Sequence, residues 1–141
     1  MPLLEQVLKK YPDKVKLVFK NFPLRNHKFA RKAAAAALAA NRQGKFLEFQ
    51  ARLFKNFNRL SDKKIQEFAR ELSLNEEEFQ KDMKASKILA MISEDIQDGE
   101  RAGVRGTPTI FINGRLLRQR SVEGFRVIIE KELAKFKKGD L

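Results

Sequence analysis

The sequence predicts an α/β fold interrupted by a block of helices. Three observations predict it. Residues Val15, Leu17 and Phe19 alternate with lysines, the pattern of a half-buried strand. Four stretches with helical apolar spacing follow between about Asn26 and Ala102. A β-branched run, Thr109–Ile112, then meets Asn113-Gly114 and leads into a final amphipathic stretch.

Taken in order, Leu3, Leu4, Val7 and Leu8 sit at helical spacing, and Tyr11-Pro12-Asp13 ends that helix because proline cannot continue the ladder. The strand expected over Val15–Lys20 carries Lys14, Lys16 and Lys20 on its other side, which suits an edge position. Asn26 is expected to cap a helix through the alanine-rich Ala30–Ala40, with Gly44 past its end. Small side chains on that helix imply close packing against a neighbour. Lys45 to about Phe57 reads as a second helix, with Phe46, Phe49, Leu53 and Phe57 on one buried stripe. Ser61 caps a third that buries Ile65, Phe68, Ala69 and Leu72.

Asn75 with Glu78 resembles a capping box, and the helix it opens can run to Ala102 or be broken at Gly99. Gly103 suits the left-handed residue after its end. Asn113-Gly114 fits a two-residue hairpin turn, because both central residues of a type I′ turn need positive φ. Arg115–Arg118 would return antiparallel. Ser121 caps a last helix whose Phe125, Ile128, Ile129 and Leu133 cover the sheet, closing at Lys137-Lys138-Gly139.

Composition bounds the function. The 141 residues suit one domain, and 43% hydrophobic with 34% charged residues describes a globular chain rather than a disordered one. No apolar run approaches the roughly 20 residues of a membrane span, and the start, Met1-Pro2-Leu3-Leu4-Glu5, does not read as a signal peptide. The absence of cysteine removes disulfides, thiolate nucleophiles and thiolate metal sites together. With a single His no metal site is expected, and no cofactor-binding motif is present. The net charge is +12, and Lys9–Lys45 holds eleven Lys/Arg against one acid, Asp13. A basic surface favours acidic partners, although charge runs are most often simply solvated.

A family resemblance rests on three segments. Val15-Lys16-Leu17-Val18-Phe19-Lys20-Asn21-Phe22-Pro23-Leu24, followed by His27 and Ala30, is similar to the second core strand and its exit in DsbA-like thiol:disulfide oxidoreductases. Gln43-Gly44-Lys45-Phe46 resembles the turn inside their helical insert. Gly103-Val104-Arg105-Gly106-Thr107-Pro108-Thr109 resembles their cis-proline loop. The resemblance implies a thioredoxin-like (DsbA-like) fold with an inserted all-helical subdomain. One domain is expected over residues 1–141, with 1–24 and 104–141 as core and 25–103 as insertion. It further implies polypeptide substrates, met at Arg105, Gly106, Thr107 and Pro108, and an extracytoplasmic parent.

The departure is as clear. The family places a first core strand and a Cys-x-x-Cys pair ahead of the region resembling Met1–Lys10, so the first core strand is expected to be missing and no catalytic residue is expected. Val15–Lys20 and Thr109–Ile112 would then flank a gap one strand wide, about 4.8 Å beyond normal pairing. Buried unpaired backbone is costly. The two strands are therefore expected to close up on each other, or to pair with another chain, as in a homodimer through exposed strand edges. Other candidates are weaker. His27 has no suggested partner for acid–base work. Glu76-Glu77-Glu78 suits a helix start, and Glu94, Asp95 and Asp98 read as a surface stripe. Arg25, Lys28, Arg31 and Lys32 would suit phosphates, but no nucleic-acid reading module accompanies them.

Overall fold

The computed structural model describes residues 2–25 and 29–137. Asn26, His27, Lys28, Lys138 and Gly139 lie outside the described residues, and so do the cap and terminal roles expected of them. Seven α-helices and one hairpin occur among the described residues. They are α1 (Pro2–Lys10), α2 (Ala30–Arg42), α3 (Phe46–Lys55), α4 (Asp62–Glu71), α5 (Glu76–Met83), α6 (Ser86–Arg101) and α7 (Val122–Lys137). Strands β1 (Phe111–Ile112) and β2 (Arg115–Leu116) precede α7. The chain divides into two compact units, one of residues 1–19 with 107–141 and one of residues 20–106.

The 20–106 unit is all helical. Its spine is α2, whose Ala33, Ala35, Ala36, Ala37, Ala39 and Ala40 are buried. Methyl-sized side chains let α3, α5 and α6 pack closely on several sides of one helix. Phe49 on α3 and Phe79 on α5 are fully buried, with ring centroids 5.5 Å apart, and Phe49 meets Phe68 of α4 edge-on at 5.9 Å. Each such pair adds about 1 kcal/mol beyond its buried area. The caps are local and as expected. Ser61 Oγ accepts from the Lys64 amide at 3.1 Å, and Asn75 Oδ1 from the Glu78 amide at 3.0 Å.

Three expectations are corrected here. The helix opened by Asn75 stops at Met83 and a new one starts at Ser86, because Ala85 takes an extended backbone (φ −65°, ψ 132°). Gly99 does not break α6; a Cβ there would lie 2.7 Å from the Phe22 ring, so the glycine admits the ring against the helix. Phe57 leaves the buried stripe: α3 ends at Lys55, and Phe57, in a 3-10 turn over Phe57–Arg59, is 60% exposed.

Asp95 is not part of a surface stripe. It is buried, and one carboxylate oxygen accepts from the Asn21 backbone amide at 2.9 Å and from Asn21 Nδ2 at 2.8 Å. Lys20 Nζ reaches its other oxygen at 3.6 Å. Asp95 thus fastens the Lys20–Asn21 segment to α6.

The other unit has a smaller core of Val7, Tyr11, Leu117, Phe125 and Ile129. Val15, Ile110, Ile112 and Leu133 pack against it. The hairpin turn is as expected, with Asn113 at φ 48° and Gly114 at φ 81°. Phe111 pairs with Leu116 and Ile112 with Arg115, and the Leu117 amide donates to Ile110 O at 2.8 Å, one step beyond the ladder.

The strand expected over Val15–Lys20 does not form. These residues take no regular structure, and Val15–Val18 make no backbone hydrogen bond among the described residues. Nor is there one apolar face: Val15 is half-buried, but Leu17, Val18 and Phe19 are exposed, Val18 by 60%. A strand is defined by its neighbour, and β1 pairs only with β2. The two segments have therefore not closed up on each other. The strand expected at Thr109–Ile112 shrinks to two paired residues, with Phe111 40% exposed.

Asp95→Ala should lower stability by about 2 kcal/mol, because the Asn21 amide and side chain lose their acceptor. Denaturant melts compared with Glu94→Ala, whose side chain is exposed, check this; equal midpoints would contradict it.

Candidate functional site

The loop singled out by the sequence joins the end of α6 to β1. Helix α6 is closed by Gly103 at φ 81° and by the Val104 amide, which donates to Gly99 O at 2.8 Å. Arg105 is exposed and Gly106 half-buried; both belong to the helical unit. Thr107, Pro108 and Thr109 are exposed and open the second unit. The Thr107–Pro108 bond is cis. Arg120 Nη1 donates to Pro108 O at 3.3 Å, tying the loop to the segment between β2 and α7.

That segment is tight. The Ser121 hydroxyl caps α7 by accepting from the Gly124 amide at 3.0 Å. A Cβ on Gly124 would fall 1.9 Å from Gln119 O, so only glycine fits beneath this turn. Arg126 clasps Glu123 within the first turns of α7, with Nε 2.8 Å from one carboxylate oxygen, and this hydrogen bond holds the Glu123 carboxyl below its usual range. Arg115 on β2 reaches Glu132 on α7 at 2.9 Å, pinning the hairpin to the helix beneath it.

Tyr11 closes the same unit from the other side. Its hydroxyl donates to Glu130 Oε1 at 2.9 Å. Burial raises the phenol pKa, and the bond to Glu130 raises it further.

Two non-helical segments are thus anchored on one core. Val15 and Ile110 both pack on it, and the backbone of Val15–Val18 is open. Sequence patterning marked both segments. It missed Arg120 and Gly124, for which a Gly three residues after the Ser121 cap is the only signal. No three or more His, Asp or Glu gather where a metal ion could be held, among the described residues, and no helix there is long and apolar enough to cross a membrane.

Comparison with known proteins decides the family. A model of the Thioredoxin family matches residues 2–131. The chain belongs to the thioredoxin family. Its fold is thioredoxin-like with a helical insertion, and it superposes on the crystal structure of a thioredoxin-like oxidoreductase from Silicibacter pomeroyi DSS-3 with a TM-score of 0.80. That match covers 95% of this chain and 77% of the other at 25% identity. Among curated sequences the chain is 34% identical over 115 residues to the Na(+)/H(+) antiporter NhaA 1 of Mycobacterium sp. (strain KMS). It is 31% identical over 115 residues to the Na(+)/H(+) antiporter NhaA 3 of Salinispora tropica. These matches take in 79% and 81% of this chain but only 19% and 18% of the antiporters, so the chain spans about one fifth of their length. This thioredoxin-family body shares the fold of a thioredoxin-like oxidoreductase and contains no cysteine.

Tyr11 yields a pH test. A raised pKa means that the native chain keeps the phenolic proton where the unfolded chain has released it. Its contribution is complete below the unfolded value near pH 10 and is lost as pH rises through the higher folded value. In thermal melts the wild type should lose stability faster above about pH 10 than Tyr11→Phe. Parallel decline of the two would contradict this.

Proposed function

We propose that this chain is the body of a DsbA-like thiol:disulfide oxidoreductase that acts on its own as a non-redox module, receiving extended polypeptides beside the Arg105–Pro108 loop. Disulfide exchange needs a thiolate to attack a sulfur, and these 141 residues supply none. What remains is recognition. The observation that carries this reading is the open backbone of Val15–Val18, anchored through Val15 on the same core as the strand that follows Pro108. An extended chain gains affinity from such an edge by completing main-chain hydrogen bonds, and specificity from the side chains beside it. Thr107 and Pro108, in the same unit as that edge, are the residues proposed to border it, and Arg105 and Gly106 lead the chain into them. A second copy of the chain could occupy the same edges, giving a homodimer that competes with substrate.

The +12 charge favours a second reading, in which acidic polypeptides are held by charge alone and nucleic acid is the minor variant. Salt separates the two, since exposed charges are screened and a strand ladder is not.

The test pairs an insulin-reduction assay with binding of a labelled extended peptide. No reduction above buffer is expected. Peptide binding should persist at high salt and weaken at least about fivefold in Val18→Pro, which removes one edge donor. Measurable insulin reduction, or binding that ignores Val18→Pro and vanishes in salt, would overturn the reading.

A further inference from the structure

Helix α3 has two apolar faces, and its packing uses one. Phe49 and Leu53 are buried in the helical unit. Leu47, Ala51 and Phe54 recur three and four residues apart on another face. Leu47 is 61% exposed and Phe54 55%, and the 3-10 turn continues the apolar surface with Phe57 at 60%. Scattered exposed apolar side chains need no explanation, but three large ones within eleven consecutive residues make a patch.

The surroundings of this patch are basic. Residues 45–64 hold six cations, Lys45, Arg52, Lys55, Arg59, Lys63 and Lys64, against two acids, Glu48 and Asp62. Both acids are already engaged, Glu48 by Lys45 and Asp62 by Lys32. Lys55 and Arg59 form no ion pair among the described residues, and both are exposed.

We infer that the α3 face of Leu47, Phe54 and Phe57 docks on an anionic lipid bilayer. Phe and Leu side chains enter the headgroup boundary while Lys55 and Arg59 meet lipid phosphates, the division of labour of an interfacial amphipathic helix. A second protein copy fits the patch less well. Three side chains offer a few hundred Å² at most, against the roughly 800 Å² per partner of a stable interface. A bilayer needs no matching surface, and the charge of the whole chain points the same way. The inference is independent of the peptide edge, because every residue it uses lies in the 20–106 unit.

The experiment is cosedimentation of the full chain with phosphatidylcholine vesicles, either pure or holding about one third phosphatidylglycerol. The wild type should bind the anionic vesicles and leave the neutral ones largely free. The L47S/F54S/F57S variant should bind at least about tenfold more weakly. Its circular dichroism should be unchanged, since the replaced side chains are more than half exposed. Lys55→Gln with Arg59→Gln should also weaken binding, whereas Lys131→Gln with Lys137→Gln on α7 should not. Three results would overturn the inference. These are a triple variant that binds anionic vesicles as well as the wild type, two charge pairs that behave alike, and a triple variant that abolishes self-association in solution while vesicle binding stays intact.

Discussion

The constraint on which this structure turns is the pairing of backbone amides and carbonyls. A helix satisfies its own; a strand depends on a neighbour. The segment Val15–Val18 is held through the Val15 side chain, yet its main chain has no ladder. The hairpin beside the same core has one partner strand and no more among the described residues. The small core of Val7, Tyr11, Leu117, Phe125 and Ile129 therefore bears the organisation of this unit, with the Tyr11–Glu130 and Arg115–Glu132 contacts reinforcing it.

The helical unit obeys the opposite rule. Its helices carry their own hydrogen bonds, so packing alone decides their arrangement. The alanine face of α2 sets the approach distance, and the Phe49–Phe68–Phe79 cluster fills the space that this leaves. Asp95 then draws the Lys20–Asn21 segment onto α6. In thiol–disulfide oxidoreductase chemistry the scaffold serves a sulfur atom. This chain carries the scaffold and no cysteine.

What the sequence disclosed was local. Ser61, Asn75 and Ser121 cap the helices assigned to them because a cap involves only a side chain and the next turn. Asn113-Gly114 makes its turn for the same reason. The family resemblance rested on short ordered segments and was equally readable. What stayed hidden depended on distant partners. Alternation over Val15–Phe19 signalled a strand but could not supply its neighbour. Periodicity carried Phe57 into the core because it did not register that the helix ends at Lys55. The break at Ala85 has no glycine or proline to mark it. Asp95 looked like its acidic neighbours, since burial of a charge is set by Asn21 and Lys20, far away in the chain. The Gly124 fit depends on where Gln119 O lies, which only the folded turn reveals.

Hydrogen exchange resolved to single amides tests the central claim most directly. In dilute solution the amides of Lys16, Leu17 and Val18 should exchange near the rate of an unfolded chain, while that of Leu117, bonded to Ile110 O, is protected. Protection at residues 16–18 equal to that at Leu117, in the absence of any added peptide, would show that this backbone is already paired and would contradict the account.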